Sequence, residues 1–109
     1  MKYDIKGVHY DLTDVTKEFL ESKLSKISYG DEYVMGLHFT LSKGKGTNDW
    51  KAEAKITFKW GTIAYIEETA FNLHEAIAEV IEKLDHKITK EKEKIQDKHP
   101  HDQLQPEVE

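Results

Sequence analysis

The chain predicts a single α+β domain of order β-α-β-β-β-α, one four-stranded sheet with both helices packed on one face. Two observations carry that expectation. Residues 33–42 and 52–58 alternate apolar with polar positions, the period of a half-buried strand. Residues 14–27 and 73–97 instead repeat apolar side chains every three or four positions, the period of an amphipathic helix.

Taken in order, Tyr3 to Tyr10 reads as the first strand, with Tyr3 and Ile5 on one face and Gly7 as a bulge. Thr13 is a good N-cap, and Asp14 suits the positive end of a helix dipole. Helix one then runs from about Asp14 to Ile27. It buries Leu20, Leu24 and Ile27 with help from Val15 and Phe19, and Gly30 serves as its C-cap. Leu37, Phe39 and Leu41 point one way from the second strand. Lys43 to Asp49 is a flexible turn, and Ala52, Ala54, Ile56 and Phe58 face the same core from the third strand. Trp60-Gly61 marks a tight reversal into a fourth strand from Thr62 to about Glu67.

Asn72 caps the long second helix, which extends to about Asp97 and buries Leu73, Ile77, Val80, Ile81, Leu84, Ile88 and Ile95. At about 1.5 Å per residue it spans nearly 40 Å, longer than the roughly 27 Å of an eight-residue strand. It should overhang its sheet, and Glu91 on the apolar face marks where contact ends. The domain is residues 1–98. Residues 99–109, with two prolines and no period, read as a disordered acidic tail.

No run of 18 apolar residues offers a membrane span, and MKYDIKGVHYDL lacks an apolar signal core, so a cytoplasmic protein is expected. Without cysteine there is no disulfide, no Cys-ligated zinc and no Cys nucleophile. All 16 basic residues are lysine, so phosphate contacts would come from single ammonium groups and not from bidentate forks.

The net charge of −5 is unevenly spread. Residues 67–82 hold five Glu and no Lys, whereas residues 83–98 hold six Lys and four acids. Within the latter, Lys83, Lys87, Lys90, Lys94 and Lys98 recur every three or four residues beside the apolar stripe, forming one row on a helix. Such a row can follow a phosphate backbone. It can equally be a solvated helix flank, where Glu79–Lys83 and Lys87–Glu91 attract and Lys90–Lys94 repel.

Other features carry less. Lys43-Gly44-Lys45-Gly46 lacks the G-K-[ST] element of a P-loop and reads as a hairpin tip. His86, His99 and His101 have no carboxylate at ligand spacing, so no metal and no cofactor is expected. His9 and His38 fall within strands. Glu67 and Glu68 are adjacent in a strand and point to opposite faces, which is poor geometry for paired acid–base work. No serine or threonine stands in a nucleophile elbow, so an enzyme with a small-molecule substrate is not expected. Trp50, Phe58, Trp60 and Tyr65 are read as core and edge packing and not as a base-stacking platform, although Trp60 at its turn can be exposed.

Two stretches resemble the family of ribosome hibernation promoting factors and ribosome-associated inhibitors (protein Y), once labelled sigma-54 modulation proteins. The first is Ile5-x-Gly7-x-His9-Tyr10-Asp11-Leu12-Thr13-Asp14, continued by Lys23-Leu24-Ser25-Lys26-Ile27. The second is Ala76-Ile77 followed by Lys83-Leu84-Asp85-His86-Lys87-Ile88-Thr89-Lys90-Glu91-Lys92-Glu93-Lys94. The likeness covers about residues 1–98. It implies a fold similar to double-stranded-RNA-binding domains. It also implies a translation inhibitor that occupies the mRNA–tRNA channel of the small (30S) ribosomal subunit under stress, alone or within the 70S ribosome.

Carried over position by position, the resemblance implies that 16S rRNA is met by Lys23 and Lys26 on helix one. On helix two it implies Lys83, His86, Lys87, Lys90, Lys92 and Lys94. His86 stands where the family often has Arg, and Lys87 where it often has Gln. Phe71-Asn72-Leu73-His74 replaces an acidic stretch, and Glu82 a usual Asp or Asn. No counterpart of the long forms' dimerisation domain is present, which implies a short form. The alternative is a diverged module of the same fold that binds a basic protein through Glu75, Glu79 and Glu82 and does not bind ribosomes.

Overall fold

The computed structural model describes residues 2–44 and 49–97, the last three of these by backbone alone. Its elements are β1 (Lys2–Val8), α1 (Asp14–Ser25), β2 (Val34–Lys43), β3 (Trp50–Phe58), β4 (Ile63–Ala70) and α2 (Leu73–Asp97). The strands form one sheet in chain order. β1 pairs parallel with β2 across the α1 crossover, while β2–β3 and β3–β4 are antiparallel hairpin neighbours, so the sheet is mixed.

The expected alternation sets the core. Leu37, Phe39 and Leu41 of β2 and Ala52, Ala54, Ile56 and Phe58 of β3 are all buried. Against them lie Leu20 and Leu24 of α1, and Leu73, Ala76, Ile77, Val80, Ile81, Leu84 and Ile88 of α2. Both helices thus cover one face, and α2 lies on β3 and β4 and beside α1. The other face is open and mixed in charge: Asp4, His38, Lys55 and Tyr65 form one row across all four strands.

Several boundaries and roles differ from the sequence expectation. β1 ends at Val8, because His9 takes a left-handed backbone with φ 56° and turns the chain out of the sheet. Gly7 is no bulge: it pairs in register with Leu41. Glycine is needed there because a Cβ would lie 2.2 Å from the Tyr10 carbonyl oxygen. The sheet's irregularity sits instead between Val34 and Gly36.

α1 stops at Ser25, and a short 3-10 helix, Ser28–Glu32, follows it. Gly30 is buried inside that turn and does not cap α1. Val15 is 67% exposed, and Thr16 takes the inward position it was expected to fill. Tyr65, expected to pack, is 75% exposed on the open face of β4, which itself continues to Ala70. Contact does not end at Glu91, which is buried and ion-paired.

Residues 45–48 of the hairpin tip, Lys98, the side chain of Ile95, His99, His101 and the proposed tail lie outside the described residues.

Candidate nucleic-acid interface

Capping starts both helices. Thr13 Oγ1 accepts from the Thr16 amide at 3.2 Å, and Asn72 Oδ1 accepts from the Glu75 amide at 2.8 Å. Their first turns then meet. Thr16 Oγ1 lies 3.2 Å from His74 Nε2, and the Phe19 ring stacks on the His74 ring at 4.4 Å. After α1, the Tyr29 hydroxyl hydrogen-bonds the Asp85 carboxylate, the Asp85 carbonyl at 3.1 Å and Thr89 Oγ1 at 3.0 Å. Burial together with the Asp85 carboxylate pushes the Tyr29 phenol above its ordinary pKa. Start meets start and end meets middle, so α1 and α2 run in the same direction. The C-terminal end of α1, with Lys23 and Lys26, is thereby brought beside the middle of α2.

The lysine row forms on α2 as its spacing requires. Lys83 reaches Glu68 on β4, and the hydrogen bond to and charge of Glu68 raise its pKa above the ordinary lysine value. Lys87 and Lys94 converge on Glu91 at 3.4 and 3.3 Å. Burial alone would favour the neutral acid at Glu91. The hydrogen bonds and charges of Lys94 and Lys87 outweigh it and hold the carboxyl below the usual glutamate value. Lys90 is exposed and has no ion-pair partner among the described residues.

The candidate positions do not form one stripe. At about 100° per residue, Lys83, Lys87, Lys90 and Lys94 share the flank of α2 that faces β4, as the Lys83–Glu68 contact shows. Asp85 and Thr89 share the opposite flank, against the segment that follows α1. Lys92 falls on this second side, its ammonium 6.0 Å from the centre of the Tyr33 ring. Lys23 sits 5.5 Å over the Phe19 ring, and Lys26 is exposed just past the end of α1. Between the two lysine sets runs the outer face of α2 with Glu82, His86 and Glu93, all exposed. Lys17 points away from α2, toward a depression at the β1 edge with Tyr3 and Glu21. Lysine therefore flanks α2 on both sides, with Glu82, His86 and Glu93 between the flanks.

Two features lay beyond the sequence reading. One is the double pairing of Glu91, whose signal is a carboxylate four residues after one lysine and three before another, on the apolar side of a helix. The other is an aromatic corner under the C-terminal half of α2. Trp60 stacks on buried Phe58 at 5.0 Å and meets Tyr33 edge-on at 6.4 Å. Among the described residues no group of three or more His, Asp or Glu is placed to hold a metal, and no helix is long and apolar enough to cross a membrane.

Comparison with known proteins agrees with the fold. The sequence pattern of the family described as Sigma 54 modulation protein / S30EA ribosomal protein matches residues 3–96. The chain is 28% identical over 104 residues to the ribosome-associated factor Y of Haemophilus influenzae, covering 95% of this chain and 94% of that protein. Its fold is that of a ribosomal subunit interface protein from Coxiella burnetii (TM-score 0.76, 17% identity, 84% of this chain and 98% of that one). The N-terminal domain of Thermus thermophilus Protein Y is similar in fold as well (TM-score 0.71, 20% identity, 83% and 98% covered).

Proposed function

The chain belongs to the Sigma 54 modulation protein / S30EA ribosomal protein family, and from that premise we propose that it is a hibernation factor acting in the cytoplasm. On this reading it occupies the mRNA–tRNA channel of the small subunit under stress and silences translation by occupancy, without chemistry. The observation that carries the reading is the pair of lysine flanks along α2. Lys83, Lys87, Lys90 and Lys94 meet 16S rRNA phosphates on one side, with Lys23, Lys26 and Lys92 on the other. His86 lies between them, where its imidazole N–H can donate a hydrogen bond to a phosphate oxygen. Such contacts position the protein without reading base sequence, and the shape of the channel supplies the specificity.

Co-sedimentation with purified 30S subunits and 70S ribosomes tests the reading. The wild type should pellet stoichiometrically, and Lys83/Lys87/Lys90/Lys94→Glu should stay in the supernatant. Seven phosphate contacts give a log–log salt slope of roughly −5 to −6. A wild type that remains in the supernatant at every salt concentration would sink the proposal.

One observation favours a second reading. Glu75, Glu79 and Glu82 are exposed on the first half of α2 and make no ion pair among the described residues. They would suit a basic protein partner. Replacing all three by Gln separates the readings: ribosome binding is unaffected or strengthened under the first, and partner binding is lost under the second.

A further inference from the structure

We propose that Trp60 is a stacking platform for one unpaired nucleobase, set beside the phosphate-binding lysines. The inference rests on the ribosome-binding reading and adds to it a contact that charge alone cannot make.

The turn between β3 and β4 holds the indole in place. The Gly61 amide donates to the Phe58 carbonyl at 2.9 Å, and the Lys59 amide to the Tyr33 carbonyl at 3.0 Å. The Trp60 ring lies nearly parallel to Phe58, at 18°, so one of its faces is spent on the core. Tyr33 meets it edge-on and fixes its tilt. Even so, 37% of Trp60 remains exposed. Beside it Gly61 has φ +93°, and a Cβ built there meets nothing within 4 Å, so the approach to the turn is open.

The surroundings suit a nucleotide. Lys59, the residue before Trp60, is exposed, and Lys92 of α2 sits over Tyr33, the ring that braces Trp60. An immobilised π-face with ammonium groups nearby meets the two demands of a single-stranded nucleotide, stacking for the base and a counter-charge for the phosphate. A duplex hides its bases in the stack and could use only the lysines. The occupant is therefore an unpaired base of the RNA that the lysine flanks hold.

The test compares Trp60→Leu and Trp60→Tyr with the wild type for binding to purified 30S subunits across a salt series. Leu keeps an apolar cover over Phe58 but has no π-face, while Tyr keeps both, and thermal melts check that each variant is folded. The expected result is a loss of about 5- to 150-fold in affinity for Trp60→Leu, with little loss for Trp60→Tyr. The salt slope should not change, because a stacked base adds no ion contact. Affinity of Trp60→Leu equal to wild type overturns the inference. So does an equal loss in both variants, which marks the ring as packing. Failure of the wild type itself to bind 30S removes the ribosome-binding reading, an outcome distinct from either of these.

Discussion

Replacing Glu91 by Gln should make this protein less stable and, at the same time, a tighter binder of ribosomes. The side chain is 8% exposed and takes Lys87 at 3.4 Å and Lys94 at 3.3 Å. At an effective dielectric near 20, each contact would be worth about 5 kcal/mol of attraction. Most of that is not realised. The Lys87 and Lys94 side chains are 36% and 67% exposed, so water screens them, and burial of the carboxylate takes back a further share. What remains is about 1–2 kcal/mol, or roughly 5–10 °C in melting temperature for a domain of this size.

The pH dependence supplies an internal control. Because the folded-state pKa of Glu91 is lowered, its contribution is complete above the ordinary glutamate range and is lost as pH falls through the folded-state value. Wild type and Glu91→Gln should therefore differ in denaturant unfolding at pH 7 and converge toward pH 3. Glu91→Leu, which replaces the ionic cluster by an apolar contact, should be less damaging than its loss of charge suggests. Meanwhile Glu91→Gln removes the carboxylate that competes with phosphate for Lys87 and Lys94, so 30S binding should tighten with the number of phosphate contacts unchanged. Equal stability of wild type and Glu91→Gln at pH 7, or a difference that persists unchanged at pH 3, would refute the ion-pair account.

Two further outcomes test the frame that holds the site. Gly7→Ala must move the Tyr10 carbonyl, a backbone atom 2.2 Å from the new Cβ, and should cost about 2–4 kcal/mol in denaturant unfolding. Thr13→Ala removes the oxygen that caps α1 at 3.2 Å and should cost about 1 kcal/mol, measured in the same way.

Most of the fold was legible because its signals are periodic. Alternation at Leu37, Phe39 and Leu41, and the three-to-four spacing from Leu73 to Ile88, each name a buried face without reference to the rest of the chain. The errors came where a partner distant in sequence decides. Nothing local to Val15 shows that Thr16 will bond His74, 58 residues away, and so turn the helix to leave Val15 exposed. Gly7 looked like a bulge because its true constraint, the Tyr10 carbonyl, appears only once the chain folds back. Glu91 was misread for a related reason. A carboxylate on an apolar stripe suggests lost contact, yet two lysine stems can cover it while their ammonium groups satisfy it. Of the candidate site, the lysine row itself was legible, and its division into two flanks was not, because that depends on where α1 lies.

The placement of charge along α2 bears on how a protein of net charge −5 could hold RNA. The first half of α2 carries Glu75, Glu79, Glu82 and Asp85 against Lys83, and the second carries Lys87, Lys90, Lys92 and Lys94 against Glu91, Glu93 and Asp97, so net charge rises toward the C-terminal end as the helix dipole favours. The more lysine-rich half of α2 lies toward Trp60, through the contacts of Lys92 with Tyr33 and of Tyr33 with Trp60. On the proposed reading, the acidic half would repel RNA in weak salt and the lysine-rich half attract it, so the protein would arrive already oriented. A uniformly basic domain would bind any duplex in any pose. Segregated charge on one rigid helix instead disfavours most poses, and the proposed binding mode would require a partner that offers phosphate on both sides of α2 at once. That requirement is met by a walled channel and not by an isolated duplex, so a long free RNA duplex should compete poorly with 30S subunits for this protein.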